Sequence, residues 1–186
     1  MSDAAICAML PIAARQGWTW STLRAGMAAA GEDPALAESA FPGGPVQAIA
    51  AWSELADGAM LAAAGDVSAL RVPARVRRLV ELRLHQVAPH KPALRVALAH
   101  LALPWTAGLA LRLAARTTDA MWRGAGDRSA DFSWYTRRLS LGAIYGATLA
   151  WWLRDDDAAV EPALAFLDRR LAELARLQRP KRPAPP

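Results

Sequence analysis

The chain has 186 residues, of which 54% are hydrophobic and 21% charged, and a formal net charge of +5. That size and balance suit one folded unit with a buried core and exclude a disordered or fibrous chain. About a quarter of the residues are alanine, which argues against an all-β fold, and the one cysteine, Cys7, excludes an internal disulfide or a cysteine-ligated zinc.

Helical signals run the length of the chain. Ser2 or Asp3 can cap a first helix over residues 4–15, which ends near Gly17. Thr19 or Ser21 can cap a second, ending at Gly31, and Asp33-Pro34 opens a short third helix to Phe41. The break Pro42-Gly43-Gly44-Pro45 precedes a fourth helix over residues 45–64. Gly65 and Asp66 loosen the chain before Pro73 opens a helix to about Ala88. Pro89, Pro92 and Pro104 read as corners, followed by a longer helix over residues 105–123. Asp131 caps the next helix, which runs to the acidic triplet Asp155-Asp156-Asp157. Acids oppose the macrodipole at a helix C-terminus, so this triplet is expected to open a last helix over residues 158–178. Residues 179–186 form a basic, proline-rich tail expected to stay unfolded.

Charge is unevenly distributed. Residues 1–70 carry a net −5, residues 71–95 a net +6, residues 96–168 a net −1 and residues 169–186 a net +5. The two basic islands suit anionic partners; Arg71, Arg75 and Arg78 would share one helix face. No segment reads as a membrane span, and the apolar N-terminal stretch carries Asp3 rather than the basic flank of a secretory signal. A cytoplasmic location follows as the expectation, peripheral at the inner membrane where the basic tail adds weak, salt-sensitive attraction.

The order helix, helix, turn, helix, helix in residues 1–64, then longer helices in residues 65–178, is the all-α architecture of TetR-type regulators. These have a helix-turn-helix head on a ligand-binding, dimerising body. A ligand-responsive transcriptional regulator is therefore one reading of the chain. Electrostatics oppose it: the candidate recognition segment, residues 34–41, contains no Arg, Lys, Asn or Gln, and Asp33 and Glu38 would repel phosphate. The head is expected not to bind nucleic acid.

Nothing in the sequence assembles an active site. Glu81 and His85 stand four apart on one helix, a spacing that suits either a metal or an ordinary hydrogen bond, and the other histidines, His90 and His100, add no ligand pattern. There is no nucleophile elbow and no phosphate-binding glycine loop. Cys7, in an apolar run, reads as a buried small hydrophobe. A non-enzyme without cofactor or metal is expected.

The second half is richer. Of the eight tryptophans, Trp122, Trp134, Trp151 and Trp152 fall late, and Gly142, Gly146 and Ala150 repeat every four residues on one helix face. Such a face is either crossed closely by another helix or opens a slot for an apolar ligand. The lining expected for that slot is Trp105, Leu109, Met121, Leu141, Tyr145, Leu149 and Trp152.

Residues 121–138 (MWRGAGDRSADFSWYTRR) resemble the signature of the accessory lipid-binding proteins of ubiquinone biosynthesis. Residues 165–170 (AFLDRR), Pro89-His90-Lys91 and residues 101–104 (LALP) fit the same family. The resemblance implies a TetR-like fold that has lost DNA binding, a homodimer, and a body holding an isoprenoid quinone or other lipid. It further implies a di-iron hydroxylase of demethoxyubiquinone as partner, contacted through Trp134, Tyr135 and Arg138. Two features depart from the family pattern. Ser133 stands where Asn is usual, and the basic tail stands where eukaryotic members carry a membrane-docking amphipathic helix.

Overall fold

The structure, a computed structural model, describes residues 2–126, 132–157 and 159–177, the side chains of residues 132–135 and 177 excepted. Asp131 and the tail beyond residue 177 therefore lie outside the described residues. Those described form an all-α, TetR-like arrangement of nine α-helices with short 3-10 turns between them.

The head is built as its caps dictate. In α1 (Asp3–Gln16) the Ser2 hydroxyl accepts from the Ala5 N–H at 3.3 Å, and Gly17 ends the helix with φ of 77°. Thr19 caps α2 (Trp20–Ala29) by accepting from Thr22 N–H. Asp33 caps the 3-10 turn that leads into α3 (Ala37–Ala40). Gly44, at φ 72°, reverses the chain against Trp20 and lets Pro45 begin α4 (Pro45–Ala64). The apolar stripe of α1 is Ala5, Ile6, Met9, Leu10 and Ala13. Cys7 lies off that stripe and is exposed, which corrects the expectation that it is buried.

The body consists of α5 (Val72–Val87), α6 (Lys91–Leu101), α7 (Ala107–Gly124), α8 (Phe132–Trp152) and α9 (Glu161–Leu177). Helix α6 occupies a stretch that reads in the sequence as corners. Pro92 falls in its first turn, where a missing N–H breaks no hydrogen bond. The acidic triplet sits in the α8–α9 connection, where Asp157 accepts from Ala159 N–H, and α9 starts at Glu161, later than expected.

Head and body share one continuous core. Trp18 stacks on Trp52 of α4 with ring centroids 5.7 Å apart, and its indole N–H donates to the Ala93 carbonyl of α6 at 3.1 Å. Helix α4 packs against both α5 and α7, so the head is fixed to the wall of whatever the body encloses.

Candidate functional site: an apolar cavity with one polar wall

A cavity of about 400 Å³ lies where α4, α5, α6, α7 and α8 meet. Its surface is almost entirely apolar. Helix α6 supplies Leu94, Ala97, Leu98 and Leu101, and α7 supplies Leu111 and Leu113. Helix α4 contributes Ile49 and Trp52. The fourth side is the small-residue face of α8, with Gly142, Gly146 and Ala150. That face is a slot rather than a close crossing: a Cβ placed on Gly146 would meet nothing within 4 Å, and one on Gly142 would meet only the Thr118 hydroxyl, at 3.3 Å. Leu111, 73% exposed, stands at the mouth with the exposed Gly146 and Ala150.

One wall is polar. Arg83 faces inward from the apolar stripe of α5, its side chain only 8% exposed, and its Nε donates to Asp57 Oδ1 at 3.2 Å. Thr117 of α7 donates to the same carboxylate, at 2.9 Å to Oδ2. Burial pushes the Asp57 carboxyl above the ordinary carboxylate range, and Arg83 and Thr117 pull it only partly back. Tyr145 of α8 lines the cavity next to this group, and burial raises its phenol. Among the described residues no cluster of three or more His, Cys, Asp or Glu could hold a metal ion.

Of the residues expected to line the slot, Tyr145 and Leu149 do so. Met121, Leu141 and Trp152 instead face the packed core, at 0%, 2% and 2% exposure. Leu109 packs partly against that core, and Trp105 is exposed outside the cavity. The α6 wall was hidden from sequence reading because the helix itself was; once it is present, positions 94, 97, 98 and 101 form an obvious apolar stripe. The signal for Arg83 was its place in the series Val76, Leu79, Val80, Arg83, Leu84 and Val87, where a charge interrupts a core-facing stripe.

Of the residues through which a partner is expected to bind, Trp134 and Tyr135 fall in the first turn of α8, with side chains outside the described residues. Gly142, where the cavity meets α8, is eight residues further on, about 12 Å along the axis. Arg138 is 10% exposed and donates to Asp119 of α7 at 2.8 Å, so it joins α8 to α7.

The first basic island is largely consumed within the molecule. Arg75 donates to the carbonyls of Ser68, Leu70 and Ala125. Arg77 pairs with Asp168, Arg78 with Glu81, Arg83 with Asp57, Lys91 with Asp155 and Arg95 with Asp156. Glu81 thus serves Arg77 and Arg78 rather than His85. In the head, Arg24 pairs with Glu38 at 2.8 Å, so one of its two cations faces an acid on the candidate recognition segment. No single helix among the described residues is long and apolar enough to cross a membrane.

Fold and cavity together define a TetR-like all-α protein with a ligand-sized apolar chamber in its body. The crystal structure of a TetR transcriptional regulator from Nitrosomonas europaea superposes with a TM-score of 0.73 over 94% of this chain and 97% of that one, at 21% identity, a likeness of fold. Residues 107–178 match the model of the COQ9 family, so this part of the chain is similar to that family. The human mitochondrial ubiquinone biosynthesis protein COQ9 is 38% identical over 52% of this chain and 30% of its own length. The Drosophila melanogaster protein of the same name is 29% identical over 88% of this chain and 52% of its own. The chain thus spans from under a third to about half of these relatives.

Proposed function

We propose that the chain is a non-catalytic lipid-binding protein of ubiquinone biosynthesis that shelters an isoprenoid quinone intermediate and presents it to a di-iron hydroxylase. The observation that carries this reading is the cavity itself: about 400 Å³, walled by α6, α7 and the small face of α8. Moving an isoprenoid tail from a bilayer into water costs about 0.8 kcal/mol per CH₂. A protein lowers that cost only by offering an apolar space, and this one lies within the ordinary range of ligand pockets. It suits a ring and the start of a tail, with the rest leaving past Leu111.

The names of the curated relatives support the biosynthetic role, the resemblance at residues 121–138 supports a hydroxylase partner and a homodimer, and the basic tail of residues 179–186 supports a weak peripheral membrane association. The test is native mass spectrometry of protein purified from quinone-containing cells, with Gly146→Leu as control. Open space around Gly146 lets the added side chain enter the slot without disturbing the core. Wild type should retain a lipid that the variant loses; wild type free of lipid under gentle purification contradicts the reading.

A further inference from the structure

We infer that the polar wall of the cavity receives one neutral hydrogen-bond acceptor, a carbonyl of the kind carried by quinones and esters, and disfavours anionic lipid heads. This deepens the lipid-binding reading and rests on it. Three donors on residues that line the cavity make no hydrogen bond with any described residue: the terminal nitrogens of Arg83, the Tyr145 hydroxyl and the Ser53 hydroxyl of α4. The Arg83 guanidinium, whose side chain is 8% exposed, uses Nε on Asp57. The two threonine hydroxyls of the lining are already engaged: Thr117 donates to Asp57, and Thr118 donates to the Ala114 carbonyl at 2.7 Å.

A donor that opens on an apolar cavity is poorly solvated there, and an incoming acceptor supplies the hydrogen bond it lacks. The charge on the wall decides which acceptor. Arg83 is matched by Asp57, with side chains 8% and 13% exposed, so the wall is neutral as it stands. Arg116, the next cation near Asp57, is 61% exposed and already paired with Glu54. A fatty-acid carboxylate would bring an unmatched negative charge into an apolar chamber beside the Asp57 carboxylate. A carbonyl oxygen accepts from Arg83 and Tyr145 without that cost, and leaves the tail to the leucines of α6 and α7.

The test compares three ten-carbon probes, a decyl-substituted benzoquinone, decylbenzene and decanoate, by displacement of the neutral fluorophore diphenylhexatriene at pH 7.5. Wild type should bind the quinone about tenfold or more tighter than decylbenzene, and decanoate weakest. Tyr145→Phe should weaken the quinone about fivefold and leave decylbenzene unchanged. The paired variant Asp57→Leu/Arg83→Met, which strands no charge, should bring the quinone to the decylbenzene level. Should that variant fail to fold, Tyr145→Phe still decides. Equal binding of quinone and decylbenzene with no effect of Tyr145→Phe, or tightest binding of decanoate, overturns the inference while leaving the lipid chamber intact. Failure of every probe to bind overturns both.

Discussion

The Lys91 ammonium lies 4.5 Å from the ring centroid of Trp152, in contact across the interface between α6 and the end of α8. With a side chain only 3% exposed, Lys91 also donates to the Asp157 carbonyl and faces Asp155 at 3.4 Å. Trp152 in turn donates from Nε1 to the Ala159 carbonyl at 2.8 Å. Cations at the start of α6 oppose its dipole, and the acidic triplet offsets them through Asp155 on Lys91 and Asp156 on Arg95. Lys91→Met keeps most of the stem and removes the charge. It should lower stability to urea by about 1–3 kcal/mol. An unchanged midpoint would show that the contact contributes nothing.

Two glycines should respond oppositely to alanine. A Cβ on Gly26 would sit 2.2 Å from Met9 Cγ and 3.1 Å from Met9 backbone atoms, because α1 and α2 cross there at close range. Gly26→Ala should therefore cost about 1–3 kcal/mol. Gly146 lies mid-helix with open space around it, so Gly146→Ala should stabilise by about 0.5–1 kcal/mol while leaving the chamber nearly full size. Thermal melts of the two variants check both signs.

Most of the head and the caps of its helices could be read from the sequence, because capping residues and Pro-Gly breaks act locally: Thr19, Asp33 and Gly44 do what their chemistry dictates. The small face of α8 was legible as a choice between two outcomes, and only the positions of α6 and α7 decide between them. The chamber lining was less legible. Met121, Leu141 and Trp152 have the same apolar character as Leu149, and periodicity alone does not say which apolar face meets a void and which meets another helix. The role of the acidic triplet was half visible: Asp157 does precede α9, but Asp155 and Asp156 answer to cations more than 60 residues away, which no local rule reveals.

Asp57 should give the protein a recognisable pH response. Its carboxyl titrates above the ordinary value of 3.8 in the folded chain, desolvation outweighing Arg83 and Thr117. Between 3.8 and that raised value the native state holds more protons than the unfolded state. Stability therefore falls as pH rises through this window and levels off above it. Asp57→Asn should remove that component, so the wild-type-minus-variant difference in urea stability should slope downward with pH and then flatten. A difference independent of pH from 4 to 7 would contradict the assignment.

His90 should act with the opposite sign. Burial lowers its imidazole below the ordinary 6.5. The unfolded chain takes up a proton first as pH falls, so stability is full above 6.5 and is lost on acidification through the lowered value. His90→Gln should flatten the melting temperature between pH 7 and pH 5; a variant that keeps the full wild-type slope would place its origin elsewhere.

Arg138 connects the motif of residues 121–138 to the interior. Its Nε donates to Asp119, which also receives Arg123 at 3.0 Å, so one α7 carboxylate holds a cation from its own helix and one from α8. A residue that served only an outside partner would be replaceable without loss of stability. With a side chain 10% exposed, Arg138 should not be: Arg138→Ala should cost about 1–3 kcal/mol, since it strips Asp119 of a charged donor. Contact pairs of this kind couple by about 0.5–3 kcal/mol, so a double-mutant cycle of Arg138→Ala with Asp119→Ala should show coupling well above zero. Any loss of binding to the proposed hydroxylase partner in Arg138→Ala must then be judged against Arg138→Lys, which keeps a cation opposite Asp119. Stability restored by lysine without binding would separate the contact to a partner from the support of α8, whereas recovery of both together would make Arg138 a positioning residue for the neighbouring Trp134 and Tyr135.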